Sequence, residues 1–486
     1  MSGQESMFRK GWTRGSVLAA GDVPQDPLLP QLGMLLDGQA MTEVMRGAGL
    51  ARHAARHCEI MQCRVVNVRY RPGRQCIVSY ALDLGEAGNG RPATGFATAR
   101  IESEASSARR LEKRHNAARI AGVPFVHLPE HRMTLTAFPH DLRVHGIHLA
   151  VDPVRLEMVV RRVLAAPEAT LVATDKRTPP ITVVSYRPER FCLVRSTIRR
   201  TPNARQEVIY ARVYRDGKGA HVHETMAALW NSEARRSGLL SVAEPLGYDS
   251  DAQTLFQSAA DGEPLGELER NESTLDHIAA VARSLAAIHG SSFLVSQVRS
   301  VEKELAWVES MAEGLLRFLP DAGERLNEVV GRLKDAHAAT RGNDRCLVHG
   351  DFSVNQFLAE PGRVTMLDFD DAGMGDPYTD LGTFLARLDG RLQIQDGTLR
   401  QQANDLFRSE YAKTRQTVLD ENRVLWSQAV AFVRMALSGL GQLKPGWPDR
   451  MSEYLDRADA LLDSIRPWSR SAATCRRPEP VGATDQ

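Results

Sequence analysis

Asp351 and Asp368, seventeen residues apart, are the side chains whose surroundings point to chemistry. Each follows a short apolar run: Arg345 to Val348 (RCLV) leads into His349-Gly350-Asp351, and Val364 to Leu367 (VTML) leads into Asp368-Phe369-Asp370-Asp371. Such runs read as strands, and the turn signal Glu360-Pro361-Gly362 between them predicts a hairpin that sets both acids at one end of a sheet. Two carboxylates so placed suit phosphoryl transfer. One takes or orients the attacking hydroxyl, and the other holds the magnesium ion that bridges nucleotide phosphates.

With these residues in view, the segment resembles the aminoglycoside phosphotransferase and choline kinase family, itself distantly protein-kinase-like. The resemblance rests on His349-Gly350-Asp351, a side-chain amide at Gln356, the strand end Met366-Leu367-Asp368, and Asp376-Pro377-Tyr378-Thr379-Asp380-Leu381. It implies ATP and Mg2+ as cofactors, Asp351 as the catalytic acid, and Asp368 with Gln356 as metal ligands. Asp370 is either a contact to a second ion or a solvated surface acid. Gln356 departs from the family pattern, which has Asn there; the amide oxygen is kept on a side chain one methylene longer. Asn355 is a rival ligand if the loop shifts register. His349 has a catalytic reading and a structural one, in which it ties down the catalytic loop, and Asp380 is expected to support the same loop. Asp376-Pro377 has the form of a helix N-cap followed by Pro at the first helical position.

At 486 residues the chain is too long for one core, so two or three domains are expected. Sixty-one Lys and Arg against sixty Asp and Glu give a net charge of +1, so no global field argues for nucleic acid or an anionic membrane as partner. Six scattered cysteines without metal-type spacing favour free thiols. No signal-like segment and no run of eighteen apolar residues is present, and a soluble, cytoplasmic protein is expected. The expected partner is a small-molecule hydroxyl acceptor. Residues 401–466 hold nine acids and nine bases, giving no sign of an acidic pocket for a polycationic drug, so an aminoglycoside, a sugar and an amino alcohol all stay open.

The elements that must position these residues follow in order. Residues 1–55 read as an N-terminal extension with a helical stretch at Leu32 to Gly49. Residues 56–175 read as a strand-rich unit that is repeated: Tyr70 and Cys76 match Tyr186 and Cys192 at an offset of 116, Ala99-Arg100 match Ala211-Arg212 at 112, and Leu135 matches Leu255 at 120. The first copy has no HGD or metal acid of its own and is expected to be silent, packing on the rest or helping to form the acceptor pocket. A chain starting near residue 175 is expected to fold without it and bind nucleotide.

The second copy, 176–262, resembles the nucleotide-binding small lobe of the family. The resemblance puts Arg212 where a phosphate-steadying Lys is usual, makes Glu224 its candidate partner, and leaves phosphate covering to the turn Arg187-Pro188-Glu189-Arg190. Residues 263–466 are the catalytic helical large lobe, and 467–486 a disordered tail. The expected fold is α+β, a protein-kinase-like two-lobe fold with an antiparallel small lobe and a mainly helical large lobe, preceded by an extra small-lobe-like repeat. The expected function is ATP-dependent transfer of the γ-phosphate to a small-molecule hydroxyl; the alternative is a catalytically silent kinase-like nucleotide-binding module.

Overall fold

The computed structural model describes residues 22–50, 58–86, 93–120, 122–173, 179–267, 272–340, 342, 344–391 and 397–466; the expected tail lies outside them. The first unit contains α1 (Leu32–Leu36), α2 (Gly38–Gly47), β1 (Cys58–Arg71), β2 (Gln75–Glu86), β3 (Ala93–Glu102), α3 (Glu104–Ile120), β4 (Val126–Leu128) and β5 (Met133–Ala137). The second contains α4 (Ile147–Ala150), α5 (Pro153–Val163), β6 (Thr170–Leu171), β7 (Ile181–Arg187), β8 (Phe191–Arg199), β9 (Glu207–Tyr214), α6 (Lys218–Trp230), α7 (Glu233–Arg236), β10 (Pro245–Asp249) and β11 (Thr254–Ser258). The large lobe follows with β12 (Glu263–Pro264), α8 (Glu272–His289), α9 (Val301–Leu315), α10 (Pro320–Thr340), β13 (Cys346–Val348), β14 (Phe357–Glu360), β15 (Arg363–Met366), β16 (Gly373–Gly375), α11 (Tyr378–Arg391), α12 (Gly397–Arg415), α13 (Glu421–Gly441) and α14 (Trp447–Asp463).

Both units have the same sheet. The first runs β1-β2-β3-β5-β4, and the second runs β7-β8-β9-β11-β10, with the short β6 also on β8; every pairing is antiparallel. The repeat also begins earlier than its strands. Asp37 accepts from Gln39 and Ala40 N–H to cap α2, and Asp152, 115 residues on, accepts from Arg155 N–H to cap α5. Asp26 and Asp141, at the same offset, each accept from a tyrosine hydroxyl, Tyr70 at 2.8 Å and Tyr186 at 2.6 Å, and from a turn N–H, Gly73 and Glu189. The described part of the expected extension therefore belongs to the first unit. The helical stretch expected over Leu32 to Gly49 is two helices, α1 and α2, broken at Asp37, whose side chain caps the second.

One residue match shifts. Leu135 pairs with Ala99, whereas it is Phe256 that pairs with Ala211; Leu255 sits opposite Arg212, as Thr134 sits opposite Arg100. Leu135 is thus equivalent to Phe256, and alternation along a strand makes a one-residue slip a change of face.

The units do not stand apart. Tyr70, Val78, Ala99 and Leu135 of the first share a core with α1, α2, α9, α10, α13 and α14, while Ala81 and Phe96 join α4, α5 and the Cys192, Ala211 and Phe256 face of the second. A chain starting near residue 175 would bare both surfaces, so it is expected to aggregate instead of folding as the sequence suggested. The most apolar helix, α13, is long and apolar enough to cross a membrane, with mean hydropathy 1.3, yet 67% of that stretch is buried in this shared core.

Candidate active site

The expected hairpin between the two apolar runs does not form. Residues 363–366 pair instead with 357–360 around the Pro361-Gly362 turn, and 346–348 pair with 373–375, beyond the second acidic loop. FLAE at 357–360 is the nearer antiparallel partner, and loop closure favours it. The acidic loops still meet, through different bonds. His349 Nε2 donates to the Leu367 carbonyl at 2.9 Å, with Nδ1 accepting from Asp351 N–H at 3.4 Å, and Leu367 N–H donates to the Gln356 carbonyl at 2.8 Å. Gly350 has φ +83°, and a Cβ there would collide with the Asp371 carbonyl oxygen, so only glycine lets the loops approach this closely.

Beneath them lies Asp380, fully buried. It accepts from His349 N–H at 2.6 Å, Gly350 N–H at 2.8 Å and His289 Nε2 at 3.2 Å. Burial pushes its carboxyl up, but the His289 hydrogen bond, the two histidines and the backbone donor outweigh this and hold it below the usual carboxylate range. The structural reading of His349 and the supporting one of Asp380 fit this network. Phe352, Phe357, Phe369 and Phe384 pack around it, each fully buried ring contributing about 1.5–3 kcal/mol.

Above the network a cleft of about 880 Å³ opens between both units and the large lobe, a size suited to a small-molecule site. Asp351, Gln356, Asp368, Asp370, Arg187, Arg190 and Arg212 all line it. Asp351 receives Arg387 Nη2 at 2.5 Å and Gln356 Nε2 at 3.1 Å. Arg212 donates from Nη1 to Asp368 at 3.0 Å and from Nη2 to Asp370 at 2.5 Å, its guanidinium stacked 4.0 Å from the Phe191 ring. Tyr214 also donates to Asp370, at 2.6 Å. Burial raises the Asp368 carboxyl, but Arg212 and His349 overcome it and hold it below its ordinary value; Asp370 is raised by burial and by Asp368, against the pull of Arg212. Asp368 itself has φ +64°, a left-handed backbone that aims its carboxylate across the cleft floor at Arg212.

Two expectations change. Arg212 spends a donor of each terminal nitrogen on Asp368 and Asp370, so its charge is shared with two loop acids before any phosphate arrives. Glu224 is not its partner: it is exposed on α6, while Lys218 and His221 of that helix face the loop, His221 Nε2 lying 3.3 Å from the Ala372 carbonyl and Lys218 Nζ 3.6 Å from Asp371. With Arg212 already neutralised by loop acids, the helix presents a cation instead of the acid expected there. Tyr214 and Arg387 lay outside the sequence reading. Tyr214 stood two residues from Arg212 on one strand face, a usable signal; Arg387 is thirty-six residues beyond Asp351 and had none.

Residues 196–416 match the phosphotransferase enzyme family (APH). A comparison with curated proteins finds no match. Among similar solved structures, a thermostable mutant of aminoglycoside phosphotransferase APH(4)-Ia in its apo form is 16% identical, covering 65% of this chain and 100% of its own, with TM-score 0.44. The same protein in a ternary complex with AMP-PNP and hygromycin B is 15% identical, over 66% and 99%, with TM-score 0.43. A choline/ethanolamine kinase family protein from Mesorhizobium loti is 18% identical, over 63% and 94%, with TM-score 0.40. The matching family is the one the motif resembled, the architecture is the expected α+β one with antiparallel sheets and a mainly helical part after residue 263, and the first unit lies outside the match.

Proposed function

We propose that this protein is an ATP-dependent phosphotransferase that moves the γ-phosphate to a hydroxyl of a small molecule. The observation that carries the reading is the convergence of Asp351, Gln356, Asp368 and Arg212 on one cleft between a small-lobe sheet and the large lobe. The family match over 196–416 supports it. Asp351 accepts the acceptor hydroxyl and takes its proton as the new bond to the γ-phosphorus forms and the bond to the β–γ bridging oxygen breaks, releasing ADP; Arg387 and Gln356 fix the carboxylate for that task. Arg187 and Arg190, at the turn of the β7–β8 hairpin, lie over the phosphates.

The donor set fits Mg2+. It consists of oxygen donors only, Asp368, Asp370 and the Gln356 amide oxygen, whose Nε2 is turned to Asp351. Among the described residues no cluster of three or more His, Cys, Asp or Glu could hold a metal alone, as suits an ion completed by nucleotide phosphates. Bound there with nucleotide, Mg2+ would neutralise charge on the transferring phosphoryl group.

One observation favours the silent nucleotide-binding module: Arg212 already occupies the carboxylate that a metal would take. Two variants separate the readings. Asp351→Asn is expected to lower ATP turnover on the order of a hundredfold or more with nucleotide affinity nearly unchanged, and Asp368→Ala to abolish magnesium-dependent nucleotide binding. A wild type that binds ATP yet phosphorylates no hydroxyl-bearing small molecule, whether cationic, neutral or anionic, at saturating ATP would leave only the silent module.

A further inference from the structure

Resting on the phosphotransferase reading, we infer that the cleft takes an oxyanion-bearing small molecule as acceptor, held by an arginine-rich wall that the first unit builds together with α13. Nine Lys and Arg but only four Asp line the cleft. All four acids already have cations: Asp368 and Asp370 hold Arg212, Asp351 holds Arg387, and Asp371 lies 3.6 Å from Lys218 and 3.7 Å from Arg299. Beyond those four the lining supplies no further acid. Arg69 reaches Glu189 at 3.6 Å and Arg434 reaches Glu304 at 3.0 Å, both acids outside the lining, while Arg71, Arg187 and Arg190 are in no ion pair among the described residues.

Partial burial, together with repulsion among Arg69, Arg71, Arg100 and Arg190, lowers the Arg69 guanidinium to about 10 and also depresses Arg71; Arg187 is depressed by burial and Arg190. Guanidiniums crowded in this way gain from a bound oxyanion, which their planar forks engage with two donors each, and a low-dielectric cleft concentrates that field.

Two anions could use them, the nucleotide phosphates and a charged group on the acceptor. Arg187 and Arg190 belong to the hairpin of the unit that carries Arg212, and they fall to the nucleotide. Arg69, Arg71, Arg434, Lys444 and Arg450 come from β1, from α13, against which β1 packs, and from the segment after α13. All five lie outside the matched 196–416. The balanced charge of 401–466 hides this. Asp456, Asp459 and Asp463 pair with Arg325 and Arg332 of α10, and Glu453 with Arg457, so only cations of that segment line the cleft. A polycationic acceptor would be repelled there, and a neutral sugar would leave the wall uncompensated.

The test uses the full chain and inorganic phosphate as probe, titrated calorimetrically at saturating AMP-PNP and Mg2+. Phosphate is expected to bind alongside the nucleotide, tenfold or more weakly in Arg71→Gln, with AMP-PNP affinity within twofold of wild type. Arg71 is an exposed strand-end residue without an ion pair, and Lys444→Gln serves as a second variant on another element. Displacement of phosphate by AMP-PNP, or weaker AMP-PNP binding in both variants, would assign the cluster to the nucleotide and overturn the inference. Phosphate binding unchanged in both variants, or no phosphate binding, would overturn it too. Arg71-dependent phosphate binding without any AMP-PNP binding would remove the phosphotransferase reading while leaving the anion site standing.

Discussion

The two repeated units carry an arginine at the same place on the third strand and put it to different use. In the first, Arg100 is 3% exposed and enclosed by Glu102, Gln75 and Glu189, the last two contacts being 2.6 Å and 2.7 Å. In the second, Arg212 is 12% exposed and held by Asp368 and Asp370 at the cleft floor. Glu189 reaches Arg100 because its turn has φ +58° and leans on the first unit. The second unit's hairpin thus gives the first what the acidic loop gives the second. A strand-borne guanidinium in this architecture needs carboxylates from a neighbouring element; where that element is a rigid turn the result is a sealed joint, and where it is a loop beside Asp351 the result is a site.

Exchanging each arginine for methionine tests this most strongly. Arg100→Met leaves Glu102 with Arg114 and Glu189 with Arg69 as their remaining cations in the interior, so a loss of about 3 kcal/mol in urea unfolding is expected, with turnover of the folded fraction near wild type. Arg212→Met exposes the reverse pattern: Asp368 is 34% exposed and tolerates solvation, so the stability cost is smaller, while ATP turnover falls on the order of a hundredfold. Equal stability losses in the two would remove the distinction between joint and site.

Next come the paired tyrosines. Tyr70→Phe and Tyr186→Phe each delete a hydrogen bond to a carboxylate that anchors a hairpin, and each is expected to cost about 1–3 kcal/mol by denaturant midpoint. A much larger effect in one would show that the anchors are not equivalent. Smaller still is Gln356→Asn: the shorter amide loses Asp351, and turnover is expected to fall severalfold. A gain in rate would mark Gln356 as decay of an ancestral kinase.

A separate readout is a titration in the first unit, confined to acid pH. Burial, then His127 and the nearby arginines, lower His115 to about 4, below the ordinary 6.5 of the unfolded chain. The unfolded state therefore takes up the proton first as pH falls, so stability is full above about 6.5 and declines between 6.5 and 4. His115→Gln should flatten that part of the profile, and an unchanged slope would place the titration elsewhere.

The sequence by itself determined the local chemistry. HGD, the acids at 368–371 and the D-P-x-x-D-L cap are each short stretches, and the bonds inside one stretch, Asp351 N–H to His349 Nδ1 and Tyr378 N–H to Asp376, follow from residue type and spacing. The strand repeat was legible because Tyr-Arg-Pro-x-Arg and the following Cys recur whole. The helices that open the second unit were not, nor was the strand 357–360, whose pairing depends on a turn competing with a longer closure. What only tertiary structure decided is where charge goes. Arg212 meets Asp368 across 156 residues, and Arg100 meets Glu189 across 89. Glu453, Asp456, Asp459 and Asp463 turn to other arginines while Arg434, Lys444 and Arg450 line the cleft. Charges of one segment are interchangeable in composition, but burial and packing fix the face on which each emerges, and that assignment gives the cleft its sign.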